Sequence, residues 1–222
     1  MMSSHLALPR VGHIKGVLHI FAYLNKKHNS YMVYDPTEVD FNRAAFQKED
    51  RRSSIYGDEG LKEVLPPNKP HPLGKCMTMR VYVYSNHAGD QVTSRSRTGF
   101  IVYLNSAPIY WSSKKQGSCE TSTYGLEMVA MKQACEFVRG LRYKLRMMGI
   151  SVDELVLIFG DNQYVLANTN NPGSTIKKKY QSICFHFIRE GCAQEKWRTA
   201  YVKTCENIAD LLTKYLISGE KF

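Results

Sequence analysis

Three acids of this 222-residue chain sit where chemistry can be built: Glu127, Asp161 and Asp210. Asp161 follows the apolar run Leu155 to Phe159 and a glycine. That run is short, β-branched and aromatic, and it reads as a buried strand. An acid at the carboxyl end of such a strand stands where open α/β sheets bind ligands. Glu127 lies in the first turns of a long helical pattern, at the edge of its apolar stripe, with Met131 and Ala134 beside it at helical spacing. Asp210 falls in the first turn of the last helical segment. Each also has a mundane role available: a solvated helix residue, a turn or cap former, an acid complementing a helix dipole. Gathered in one place, the three would make an oxygen-rich site for Mg²⁺, which keeps waters and accepts substrate phosphates. Two such ions about 3.5–4 Å apart clamp both oxygens of an in-line phosphodiester displacement.

The elements that must position these acids follow in order. Residues 10–28 carry an apolar stripe (Val11, Ile14, Val17, Leu18, Phe21) with basic flanks, an amphipathic helix whose packing neighbour is missing from the next fifty residues. Tyr31 to Tyr34 reads as a short strand. Residues 35–76 are polar and proline-punctuated, a linker with one local helix around Phe41 to Phe46 and an extended end from Pro66 to Pro72. From Met77 the texture changes. Met79 to Tyr84, Gly99 to Leu104 and a run starting at Pro108 predict three strands of an antiparallel meander. A helix is expected from Thr121 to Met148, with Lys132, Arg139, Arg142, Lys144 and Arg146 on its remaining faces and Gly149 as C-cap. The strand before Asp161 follows, then a short helix over 162–167. Ser174-Thr175 are expected to cap a helix carrying Ile176 to Ile188, with Lys177, Lys178 and Lys179 in its first turns. Lysines there oppose the helix dipole, a small cost that an anionic partner would relieve, although a charge run is more often a solvated face. Trp197 to Val202 is a fifth strand, and Ile208 to Leu216 a last helix. The fold class is therefore α/β: a five-stranded mixed sheet covered by helices.

An excess of 30 Lys+Arg over 20 Asp+Glu gives a net charge of +10. A polyanion, nucleic acid first, is the natural partner, and a soluble chain that merely carries positive charge is equally compatible. The six cysteines show no C-x-x-C pair and no zinc-ligand spacing, so they read as reduced intracellular thiols. No run approaches the roughly 20 apolar residues that span a bilayer, and residues 1–10 do not resemble a secretory signal. The expectation is an intracellular protein, cytoplasmic or nuclear, without a membrane partner.

Several stretches occur together in an order that carries information: His87-Ala88-Gly89-Asp90, Ser96 to Phe100, Ile109 to Gln116, Glu120 to Thr123, Gly160-Asp161-Asn162-Gln163, His186 to Gly191 and Ala209 to Lys214. From Met79 to Phe222 the chain resembles the ribonuclease H domain of copia-type retrotransposon Pol polyproteins. Residues 1–50 resemble the end of the preceding reverse transcriptase, 51–76 a proline-rich linker, and 77–222 the ribonuclease H-like domain itself. The resemblance implies a ribonuclease H-like fold with helices on both sheet faces. It also implies two Mg²⁺ (or Mn²⁺) ions held by four acids, hydrolysis of the RNA strand of an RNA–DNA hybrid, and the reverse transcriptase portion as partner. Glu127, Asp161 and Asp210 match three of the four acids. The fourth position is Tyr84, and the second acid of that motif is Asn86. A phenol, neutral at working pH and far bulkier than a carboxylate, cannot bridge two Mg²⁺ ions. Cys205 departs from a histidine common near the last acid. Lys114, Lys115 and Lys177 to Lys179 are candidate phosphate contacts. Trp111, Tyr110 and Tyr143 offer rings to a groove, with core packing the expected role of Trp111.

Overall fold

The computed structural model describes residues 8–40, 46, 63, 65–87, 94–117, 120–171, 173–176 and 179–214. The chain divides into two compact units, Met1–Tyr34 and Asp35–Phe222. The first holds helix α1 (Val11–Lys26), where Arg10 N–H donates to His13 Nδ1 at 3.1 Å and no side chain is buried. Tyr31 to Tyr34, expected as a strand, is irregular, and no strand among the described residues pairs with it.

In the second unit five strands, β1 (Met79–Asn86), β2 (Arg97–Leu104), β3 (Ala107–Lys115), β4 (Val156–Gly160) and β5 (Trp197–Tyr201), form one sheet in the order β3-β2-β1-β4-β5. The β1–β2 and β2–β3 pairs are antiparallel, and β4 runs parallel to β1 and β5. The meander is short-looped, so antiparallel pairing costs little chain. The later strands arrive through helices α2 (Thr123–Met147), α3 (Gln163–Asn170) and α4 (Ser182–Ala193), which permit parallel pairing. Period-two alternation sends Val81, Val83, Phe100 and Val102 to one face, where they meet Ala130, Met131, Ala134 and Val138 of α2 and Phe185 and Ile188 of α4. The opposite face of β1 and β2 carries a 3-10 helix, Ile208–Leu212. Gly99 makes that approach possible, since a Cβ there would stand 2.7 Å from Thr213 Cγ2.

Several expectations need correcting. Trp111 is 51% exposed. Register places it opposite Ile101 on the outer face, while Tyr110, opposite Val102, takes the inner side and stacks on Phe137 with centroids 3.9 Å apart. Ser174-Thr175 cap no helix: Ser174 Oγ donates to Asn168 O at 2.8 Å, and α4 begins at Ser182 after a 3-10 turn, Lys179–Gln181. Lys179 therefore stands in the turn just ahead of α4 and not within its first turn; Lys177 and Lys178 lie outside the described residues. The last helix is 3-10 and ends at Leu212, with residues from 215 outside the described set. The local helix expected at Phe41 to Phe46 also falls almost wholly outside it. The Pro66–Pro72 stretch contains a turn, Lys69 N–H donating to Pro66 O, before it extends. Part of the segment read as a linker is pinned to the sheet unit: Asn105 Nδ2 donates to Pro36 O, and Leu73 N–H to Gly149 O.

Arg142 and Arg146 are buried, where the sequence placed them on charged faces. Arg142 donates to three carbonyls, Val152 O, Lys196 O and Asp153 O, at 2.8–3.2 Å, and Glu63 lies 3.4 Å away. Burial lowers its guanidinium pKa to about 10. This clamp fixes the end of α2 to the lead-in of β4. Arg142→Met, which strands three carbonyls, is expected to cost about 3 kcal/mol in urea unfolding. No helix among the described residues is long and apolar enough to cross a membrane.

Candidate active site

Strand β1 pairs with β4 only from Arg80 to Tyr82. Beyond Tyr82 the strands part, and a groove of about 500 Å³ opens at their carboxyl ends. This is the point where the chain turns from meander to crossover, the place where sheets of this type hold ligands. Tyr84, Ser85, Glu127, Asp161 and Tyr201 are among its lining residues.

Glu127 is 8% exposed. Parting from β4 leaves the Ser85 N–H without a strand partner, and Glu127 Oε1 accepts it at 3.0 Å. Gln116, buried, ties the same corner together: its Nε2 lies within 3.1 Å of Ser85 Oγ, Thr98 Oγ1 and Leu126 O. Ser122 caps α2 by accepting from Gly125 N–H, which sets the helix start and so the position of Glu127. Asp161 follows β4 directly; its Oδ2 accepts from Thr204 Oγ1 at 2.8 Å, and Asn162, not Asp161, caps α3. Asp210 sits in the Ile208–Leu212 turn. That turn is held by Asn207, whose Nδ2 donates to Val83 O at 2.9 Å, and by Asn86, whose Nδ2 donates to Thr213 O at 2.9 Å.

Glu127, Asp161 and Asp210 thus each act electrostatically on Tyr84, Asp161 acts on Glu127, and Asp210 acts on Asp161. Burial first, then the charge of Asp161, pushes the Glu127 carboxyl well above its usual range, against the opposing bond from Ser85. Burial also raises Asp161, against the bond from Thr204, with Asp210 adding to the rise. Tyr84 is raised by burial, with Lys214 opposing and the three carboxylates reinforcing. The Glu127 shift has a measurable consequence. The folded chain binds this proton more tightly than the unfolded chain, so its contribution is full below the unfolded value and is lost as pH rises through the folded one. Glu127→Gln is expected to unfold several degrees higher than wild type at pH 7–8 in chelator, on the order of 1–2 kcal/mol. The gap should close below about pH 4.

Lys214, which closes the Ala209 to Lys214 stretch, is a site residue beyond those expected. Its Nζ lies 2.8 Å from both oxygens of Asp210 and 5.4 Å from the centroid of the Tyr84 ring. The signal was its four-residue spacing from Asp210. Asn207 and Thr204 were missed, and Asn86 was noted only for its place in the acid motif, because their partners, Val83, Asp161 and Thr213, lie far along the chain. Cys205 is exposed. Of the candidate phosphate contacts, Lys114 is exposed and Lys115 partly buried at the end of β3, and Lys179 is exposed.

The residues present do not fit a two-ion centre as they stand. Among the described residues no three His, Cys, Asp or Glu side chains come close enough to hold a metal ion. One oxygen of Glu127 is engaged by Ser85, Asp210 carries Lys214, and Tyr84 supplies a neutral phenol.

No family model matches the chain. Over 165 residues it is 32% identical to the retrovirus-related Pol polyprotein from transposon RE1 of Arabidopsis thaliana, covering 71% of this chain and 11% of that protein. Over 149 residues it is 28% identical to the polyprotein from transposon TNT 1-94 of Nicotiana tabacum, covering 67% and 11%. The chain spans about a tenth of the length of these curated relatives. Among solved structures it is similar to LC11-RNase H1 isolated from compost, with a TM-score of 0.48 and 16% identity over 61% of this chain and 92% of that one. RNase H1 from Halobacterium salinarum NRC-1 gives 0.46 and 13%, over 63% and 95%. The sequence relatives and the order of the mixed sheet, taken together, make this chain a ribonuclease H-like part of the retrovirus-related Pol polyproteins of transposons.

Proposed function

We propose that residues 77–222 are the ribonuclease H-type domain of a copia-type Pol polyprotein, directed at the RNA strand of RNA–DNA hybrids, with hydrolysis impaired at Tyr84. The observation that supports this reading is that Glu127 and Asp161 line the groove with Tyr84 where β1 and β4 part, and that Asp210 acts on both Tyr84 and Asp161. Two chain-distant acids line one groove, a third acts on it electrostatically, and the fourth position is a phenol. The chemistry of such a domain depends on Mg²⁺ or Mn²⁺, and this donor set gives two such ions no complete seat.

What the chain's own residues do is bind and orient. Exposed Lys114 and Lys179, with Lys115, Lys177 and Lys178, are the proposed phosphate contacts along the hybrid, and they make binding salt-dependent. Residues 1–50 are proposed as the tail of the reverse transcriptase and 51–76 as the connecting segment. The exposed stripe Ile14, Leu18, Phe21 of α1 suits a helix that packs on the polymerase portion.

The test mixes a labelled RNA–DNA hybrid with wild-type and Tyr84→Asp chains in Mg²⁺. Salt-sensitive binding by both, with strong cleavage by the variant alone, supports the proposal. Absence of binding and of cleavage with both chains overturns it. Binding by both with cleavage by neither favours a non-catalytic nucleic-acid-binding module on the same fold.

A further inference from the structure

We infer that Lys214 is a cation built into this site: seated on Asp210 and over Tyr84, its ammonium excludes a divalent ion from Asp210. The inference rests on the reading of the groove as a ribonuclease H-type site. The observations behind it are geometric. Lys214 Nζ stands 2.8 Å from each Asp210 oxygen, so no open edge of that carboxylate is left for a hard cation. Asp210 Oδ1 is buried and accepts no well-directed hydrogen bond, so any ion reaching it must enter where the ammonium already lies. The pair is local: Lys214 N–H donates to Asp210 O at 3.3 Å, closing one turn that holds the two side chains on the same side.

Tyr84 completes the arrangement. Its ring lies 5.4 Å from the ammonium and offers a π face, which attracts a monovalent organic cation. A neutral phenol gives a divalent metal neither charge nor a bridging oxygen. Exchanging the first acid for an aromatic ring therefore favours lysine over metal at the same carboxylate. The domain carries its neutralising charge covalently, and its electrostatics do not depend on the divalent ion supply.

The test is Mn²⁺ binding by calorimetry to the full chain, without nucleic acid. Lys214→Met is expected to tighten Mn²⁺ binding about tenfold, and Lys214→Gln similarly. Lys214→Arg, which keeps the charge, stays within about threefold of wild type. Lys144→Met, which removes an exposed charge on α2 far along the chain from the groove, leaves the affinity unchanged. Unchanged Mn²⁺ affinity in both Lys214→Met and Lys214→Gln overturns the inference, as does tightening by Lys144→Met equal to theirs. Because no hybrid is present, this outcome is separate from failure of the ribonuclease reading, which appears as absent hybrid binding and cleavage.

Discussion

Tyr84→Asp is expected to raise cleavage of an RNA–DNA hybrid by at least about a thousandfold over the wild-type chain in Mg²⁺. The expectation comes from charge placement. Tyr84 directly precedes Ser85, whose N–H donates to Glu127, and its phenol feels all three carboxylates. Burial and those charges raise its pKa, so it supplies no negative charge at neutral pH. A carboxylate at residue 84 would add a fourth acid to the three whose charges already act at that position. Stabilising charge in phosphoryl transfer is worth several kcal/mol, and each 1.36 kcal/mol is tenfold in rate, so about 4 kcal/mol gives the thousandfold. The gain should grow with Mg²⁺ concentration, because the ion has to displace Lys214 from Asp210. Single-turnover cleavage of a 5′-labelled hybrid measures it. Tyr84→Asn, matched in size and uncharged, separates charge from bulk and should gain little. If Tyr84→Asp cleaves no faster than wild type, the site has been assigned to the wrong residues.

How far the chain could be read in advance depended on the range of the interactions involved. The strands were legible because alternation along Met79 to Tyr84 and the apolar run before Asp161 report local burial. The three acids were legible because each sits beside such an element. Trp111 was misread, since its orientation is set by register with β2, one residue from the inward-facing Tyr110. Arg142 and Arg146 looked like surface charges because their partners, the carbonyls of 152, 153 and 196 and the Glu63 carboxylate, appear only once α2 meets β4 and β5. Ser174 resembled a cap, yet its hydroxyl turns back to Asn168. Lys214 shows the limit at the site itself. Its spacing from Asp210 was visible, but the ring beneath it belongs to a strand 130 positions earlier in the numbering.

Gly191→Ala should destabilise the domain by about 3 kcal/mol, against the sign that helix propensity alone gives. Gly191 lies inside α4, where alanine normally gains about 0.5–1 kcal/mol over glycine. Here a Cβ would stand 1.9 Å from Trp197 Cζ2 and 2.2 Å from Cε2, well inside contact distance. The indole has little room to retreat. It is 2% exposed, its Nε1 donates to Ile188 O at 3.0 Å, and its backbone is paired in β5 opposite Val156. The extra methyl must therefore push α4 from the sheet or break the indole bond, and overpacking of this kind typically costs 1–3 kcal/mol. The groove depends on this packing, since β5 carries Tyr201 and pairs with the strand leading to Asp161. The matched control is Gly140→Ala in α2, where nothing lies within 4 Å of the added Cβ. It should stabilise by about 0.5–1 kcal/mol. Urea titrations of the two variants, compared at constant m-value, read the difference. If Gly191→Ala stabilises as Gly140→Ala does, the close seat of Trp197 under α4 is not how the end of the sheet is held.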